Sequence, residues 1–87
     1  DPDYHALLAT LYQRVGRHAD AAAAYSIVLE TRPQDARAWF GLGVALEAAG
    51  KPSEAAQAYR RAQLSENLPP SLATYAGKRL AALKAAP

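Results

Sequence analysis

The sequence predicts an all-α fold, two helical hairpins in tandem closed by a fifth helix. Three observations carry that reading. Alanine supplies 22 of the 87 residues, half of the 51% that are hydrophobic, and Ala is the strongest helix former. Apolar residues recur at spacings of three, four and seven, as in Leu8, Leu11, Tyr12, Val15 and in Trp39, Leu42, Leu46, Ala49, which places each set on one helical face. The chain also repeats itself. The displacement that sets Leu8 on Leu42 also sets Tyr12 on Leu46, Gly16 on Gly50, Ala21 on Ala55 and Tyr25 on Tyr59, with Ala9 on Gly43 and Val28 on Ala62.

Each element has a local cause. A first helix over 3–15 starts at Asp1-Pro2, which supplies cap and first-turn chemistry, and stops at Gly16, a residue suited to left-handed termination. The second spans 19–31, with His18 opening it after a turn. Asp35 caps a third helix over 36–49, which Gly50 ends. Pro52 and Ser53 open a fourth over 53–66, with Ser53 expected as its cap. A fifth over 70–84 follows Pro69-Pro70. Ala9, Gly43, Ala21 and Ala55 are small because paired helices approach to roughly 8–10 Å at their crossings. In the fifth helix Leu72, Ala76, Leu80 and Leu83 form one stripe, with Thr74, Lys78, Arg79 and Lys84 largely off it. That is the pattern of a helix capping the end of a stack. At the other end Tyr4, Leu8 and Leu11 are expected to stay exposed. The whole forms one domain over 1–87: units over 2–35 and 36–69 and a cap over 70–84, with no room for a second core.

Several chemistries are not expected. There is no Cys, hence no disulfide, thiol nucleophile or zinc cluster. His5 and His18 lack partners at metal-ligand spacing. The serines have no adjacent base, and the carboxylates are dispersed. Gly41-Leu42-Gly43 lies within a helical pattern rather than after a strand, so it is packing and not a dinucleotide loop. No catalytic, cofactor-binding or metal-binding residue is assigned, and the chain is not expected to be an enzyme. No 18-residue apolar run or signal-like opening occurs, so this segment is not expected to enter a membrane. Formal net charge is +2, divided unevenly: residues 1–50 carry six acids against four arginines, and residues 51–87 six bases against two acids. Arg60-Arg61 and Lys78-Arg79 read as solvated faces, with an acidic protein partner the alternative. Nucleic acid is not expected, because no clear surface cluster of aromatic residues accompanies these charges.

The spacing of Trp39, Leu42, Gly43, Leu46, Gly50, Ala55, Tyr59 and Ala62 resembles the tetratricopeptide repeat. The first unit carries Leu8, Ala9, Tyr12, Gly16, Ala21, Tyr25, Val28 and Pro33, with His5 in place of the Trp. Asn67 holds the second unit's Pro position, and Pro69-Pro70 follow two residues late. The resemblance implies a right-handed superhelix whose concave side is a protein-binding groove. In such proteins first helices line the groove, which assigns Asp3, Ala6, Leu7, Thr10, Gln13 and Arg14 from the first unit. The second contributes Arg37, Phe40, Gly41, Val44, Glu47 and Ala48, and the last helix adds Thr74, Tyr75 and Lys78. The Lys and Asn residues that hold a peptide's C-terminal carboxylate in chaperone-binding members are missing, with Ala6, Thr10, Phe40 and Val44 on these positions.

The partner-binding residues expected from that surface are Leu7, Thr10, Arg14, Arg37, Phe40, Val44 and Tyr75. Leu7, Phe40, Val44 and Tyr75 form an apolar floor. Arg14, Arg37, Asp3 and Glu47 supply rim charges, a combination suited to an amphipathic helix or apolar peptide. The competing expectation is self-association as a homodimer, or a regulatory role within a larger enzyme or envelope protein. More narrowly, the run from Tyr4 to Ala21, the Trp39-Phe40-Gly41-Leu42-Gly43 stretch and Leu68-Pro69 resemble the C-terminal repeats of proteins that assemble the mannose-sensitive haemagglutinin pilus. That resemblance implies a bacterial module in pilus or secretion assembly, on the periplasmic side of the inner membrane; without it the expected compartment is cytoplasmic.

Overall fold

The computed structural model describes residues 1–85, which form five helices and, among the described residues, no strand. They are α1 (Pro2–Arg14), α2 (His18–Thr31), α3 (Ala36–Ala48), α4 (Pro52–Leu64) and α5 (Pro70–Ala85). Each packs chiefly on its neighbours in sequence, as expected of stacked hairpins. The first helix of each unit and the closing helix start at equal intervals, at Pro2, Ala36 and Pro70. The late Pro69-Pro70 pair therefore leaves α5 in register, with Pro70 as its first residue.

The turns and caps follow from local chemistry. Gly16 and Gly50 have φ of 81° and 80°, the left-handed conformation that lets α1 and α3 end within a residue or two. Asp1 caps α1 by accepting from the Asp3 backbone N–H at 3.0 Å, and Asp35 caps α3 by accepting from that of Ala38 at 3.0 Å. Ser53 differs from expectation. Pro52 takes the first helical position, Lys51 precedes it with no side-chain cap, and Ser53 lies exposed inside α4. A proline at that position needs no N–H partner and fixes φ for the first turn.

Two clusters form the core. One gathers Ala21, Val28, Leu29, Ala38, Leu42 and Ala45, with Tyr12, Trp39 and Leu46 against it; the other gathers Ala55, Tyr59, Ala76 and Leu80 under Phe40 and Leu83. Ala9, Ala21 and Ala55 are fully buried. A Cβ on Gly43 would stand 2.8 Å from the Tyr59 ring, so α3 and α4 meet at a distance only glycine permits. The α5 stripe packs as expected, with Ala76 and Leu80 buried. On α1 Tyr4 and Leu11 are exposed, whereas Leu8 is half-buried.

Two arginines expected on solvated faces also make contacts within the chain. The Arg61 guanidinium lies 4.6 Å from the Trp39 ring centre, a cation–π contact. Arg79 pairs with Glu47 across the α3–α5 contact. Each pairing joins residues far apart in sequence.

Candidate functional site

A groove of about 490 Å³ runs between the first and second hairpins. One wall comes from α1 through Ala6, Thr10, Gln13 and Arg14, and the other from α3 through Arg37, Phe40, Gly41 and Val44. Tyr25 of α2 and Leu72 of α5 also line it. Helical spacing explains each wall, because residues three, four and seven apart share a face. Five of the seven expected partner-binding residues, Thr10, Arg14, Arg37, Phe40 and Val44, therefore meet in one groove.

The other two lie elsewhere. Leu7 is exposed on α1 outside the groove lining, turned about 100° round the helix from Ala6. Tyr75 lines an adjoining recess of about 350 Å³ with Val44, Glu47, Ala48, Tyr59 and Arg79. Thr74 and Lys78 line neither space, and α5 reaches the groove through Leu72 instead.

Phe40 has two surroundings. It borders the groove, and its ring stands edge-on to Tyr59 at 6.0 Å and to Tyr75 at 5.7 Å. Tyr59 and Tyr75 are in turn 6.4 Å apart, so the three rings form one edge-to-face group. One side of Phe40 is therefore internal packing, and removing its ring would also disturb the junction of α3, α4 and α5.

The rim charges sort by sign. Glu47 accepts from the Tyr59 hydroxyl at 2.9 Å and from Arg79 Nε at 3.1 Å, and its second oxygen accepts from the same guanidinium. The Arg79 hydrogen bond, helped by that from Tyr59, holds the Glu47 carboxyl below its ordinary value although burial opposes the shift. Burial, with the bond to Glu47, pushes the Tyr59 hydroxyl up. Asp3 pairs with Arg32 at 2.8 Å, and Asp35 holds the α3 cap. Among the described residues Arg14 and Arg37 enter no ion pair. The groove thus presents an apolar floor and two uncommitted guanidinium groups.

His18 Nδ1 lies 2.7 Å from Gln13 Oε1, and His5 Nδ1 lies 3.1 Å from the Asp1 carbonyl. Among the described residues no three His, Asp or Glu side chains converge as a metal site, and no helix is long and apolar enough to cross a membrane.

Sequence reasoning missed Asp35, Ala38 and Leu72 among the groove residues, and above all Tyr25. It stands on a second helix, where the repeat pattern reads it as core. The available signal was Ala6, small where the second unit has Phe40. A small residue there leaves the tyrosine ring uncovered.

Among curated proteins none matches the chain. The family model described as tetratricopeptide repeat matches residues 7–71, three-quarters of the sequence and all of α2, α3 and α4. With hairpins repeating at a constant interval, Gly-terminated first helices and small residues at the crossings, the chain belongs to the tetratricopeptide repeat family.

Proposed function

We propose that the chain is a non-catalytic scaffold whose groove takes up an amphipathic helix with acidic flanks. Tetratricopeptide repeats generally mediate protein–protein interaction, which gives the class of activity. The observation that carries the finer reading is the pairing of an apolar floor, formed by Tyr25, Phe40, Val44 and Leu72, with Arg14 and Arg37 on facing helices. An apolar helical stripe would cover the floor, and carboxylates beside it would meet the arginines. The pilus-assembly setting rests on the sequence strings that suggested it, and it fits a scaffold of this kind.

The test is a titration of the ¹⁵N-labelled chain with a synthetic amphipathic helical peptide carrying Leu on one face and Glu beside it. Shifts should concentrate at Thr10, Arg14, Arg37 and Val44. Thr10→Trp, which fills the groove from an exposed position on α1, should weaken binding at least about tenfold without loss of helicity. Shifts confined to Arg60, Arg61 and Lys78 would move the interaction to the basic face and overturn the groove reading.

A further inference from the structure

Outside the groove, α1 exposes a second apolar surface. Tyr4, Leu7, Leu11 and Val15 are 60%, 61%, 47% and 71% accessible, and their spacings of three and four place them on one side of the helix with half-buried Leu8 among them. Isolated exposed apolar residues need no explanation, but a contiguous stripe does.

The internal repeat shows how this stripe differs from its counterpart. Tyr4, Leu7 and Leu11 correspond, one unit on, to Ala38, Gly41 and Ala45. Those three are buried in α3, and a Cβ on Gly41 would fall on the Tyr25 ring of α2. The α1 positions carry large side chains where α3 carries small ones. A helix packed on the α1 stripe therefore sits further from its axis than α2 sits from α3 at Gly41.

Charge indicates which occupant. Asp3 and Arg14 are separated by about three helical turns, and so share one flank of the stripe at opposite ends. Asp3 bonds Arg32 through one oxygen only, and its side chain remains 77% exposed. Arg14 enters no ion pair among the described residues. A two-fold axis crossing the middle of α1, level with Ala9, sets two copies antiparallel. It brings Asp3 of each copy beside Arg14 of the other, on the same flank. The same operation sets Tyr4 opposite Val15 and Leu7 opposite Leu11, and it opposes the helix dipoles favourably. One symmetry operator satisfies the charge pattern and the apolar register together.

We propose that the α1 stripe is a homodimer interface, with two copies of α1 packed antiparallel and Asp3 paired to Arg14 across the two-fold axis. The contact is a single helix pair, so the dimer is a weak one, formed between micromolar and millimolar concentration. It leaves Arg37, Phe40 and Val44 of each copy free, while Arg14, which also lines the groove, is shared between the dimer contact and the groove partner.

Sedimentation velocity over that range tests it. The parent chain should pass from monomer to dimer, and Leu11→Glu should raise the dissociation constant at least about a hundredfold. Asp3→Arg and Arg14→Asp, both at exposed positions, keep the test sound should Leu11→Glu disturb folding. Each alone sets like charges together twice and should be monomeric. Mixed in equal amounts they restore both pairs, and the mixture should dimerise. A parent chain that stays monomeric into the millimolar range overturns the proposal, as does a dimer insensitive to Leu11→Glu. Failure of the mixture to dimerise overturns the antiparallel arrangement itself.

Discussion

Tyr25 and Tyr59 occupy the same place in successive hairpins, on α2 and α4, yet their surroundings differ. Tyr59 is fully buried, with Phe40 and Tyr75 edge-on to it and Glu47 accepting from its hydroxyl. Tyr25 is half-buried and forms part of the groove lining. The counterparts of the Tyr59 partners explain this. Where the second unit has Phe40, Val44 and Glu47, the first has Ala6, Thr10 and Gln13; where α5 has Tyr75, α3 has Gly41. The shared positions build two similar hairpins. The positions that vary decide which hairpin seals its tyrosine and which leaves it beside a cavity.

The largest expected effect breaks that comparison directly. Tyr59→Ala should cost about 3–5 kcal/mol, the cost of emptying a packed aromatic site, whereas Tyr25→Ala should cost well under half as much because its ring is already open on one side. Chemical denaturation of both variants checks this, and equal losses would mean the two tyrosines are equally structural.

The glycines facing those rings sharpen the contrast. Gly43→Ala would drive a methyl against the body of a buried ring and should cost about 1–3 kcal/mol, despite the better helix propensity of Ala. In Gly41→Ala the methyl meets the far end of the Tyr25 ring, which can swing into the groove, so stability should hardly change. Thermal melts of the pair decide between these outcomes.

A smaller effect concerns Glu47. Its carboxyl titrates below the ordinary 4.5 when folded because Arg79 and Tyr59 bond to the charged form. Its contribution is therefore present above the unfolded value and is lost as the pH falls through the lower folded value. Glu47→Gln should cost about 1 kcal/mol at neutral pH and flatten the decline in stability on acidification below pH 4.5. Denaturation midpoints from pH 7 down to 3 for parent and variant test the sign. A variant with an unchanged acid limb would show that other carboxylates govern it.

Much of this fold was legible from local signals. The displacement that sets Leu8 on Leu42 located the hairpins, and Gly16, Gly50, Asp1 and Asp35 placed the helix ends closely, because caps and left-handed glycines act on their immediate neighbours. Ser53 misled because Pro52 starts the helix one position earlier and removes the need for its hydroxyl. The groove was legible in part. Periodicity put Thr10, Arg14, Arg37, Phe40 and Val44 on facing walls, but a position rule carried Leu7 along with them, although its direction on α1 takes it outside. What sequence could not supply were pairings set by the way helices stack: Glu47 on α3 with Arg79 on α5, and Arg61 over Trp39. No spacing rule within one helix reaches such partners, so charges read as rim or solvated also tie one helix to another at the surface.

Transplanting the second hairpin's residues into the first tests the central claim most directly. Ala6→Phe combined with Thr10→Val gives Tyr25 the neighbours that Tyr59 has from α3. Binding of the Leu- and Glu-bearing helical peptide to this double variant should fall at least about tenfold, while the chain stays as helical as the parent. Undiminished binding would contradict the account, because it would mean that the space above Tyr25 is not where the partner sits.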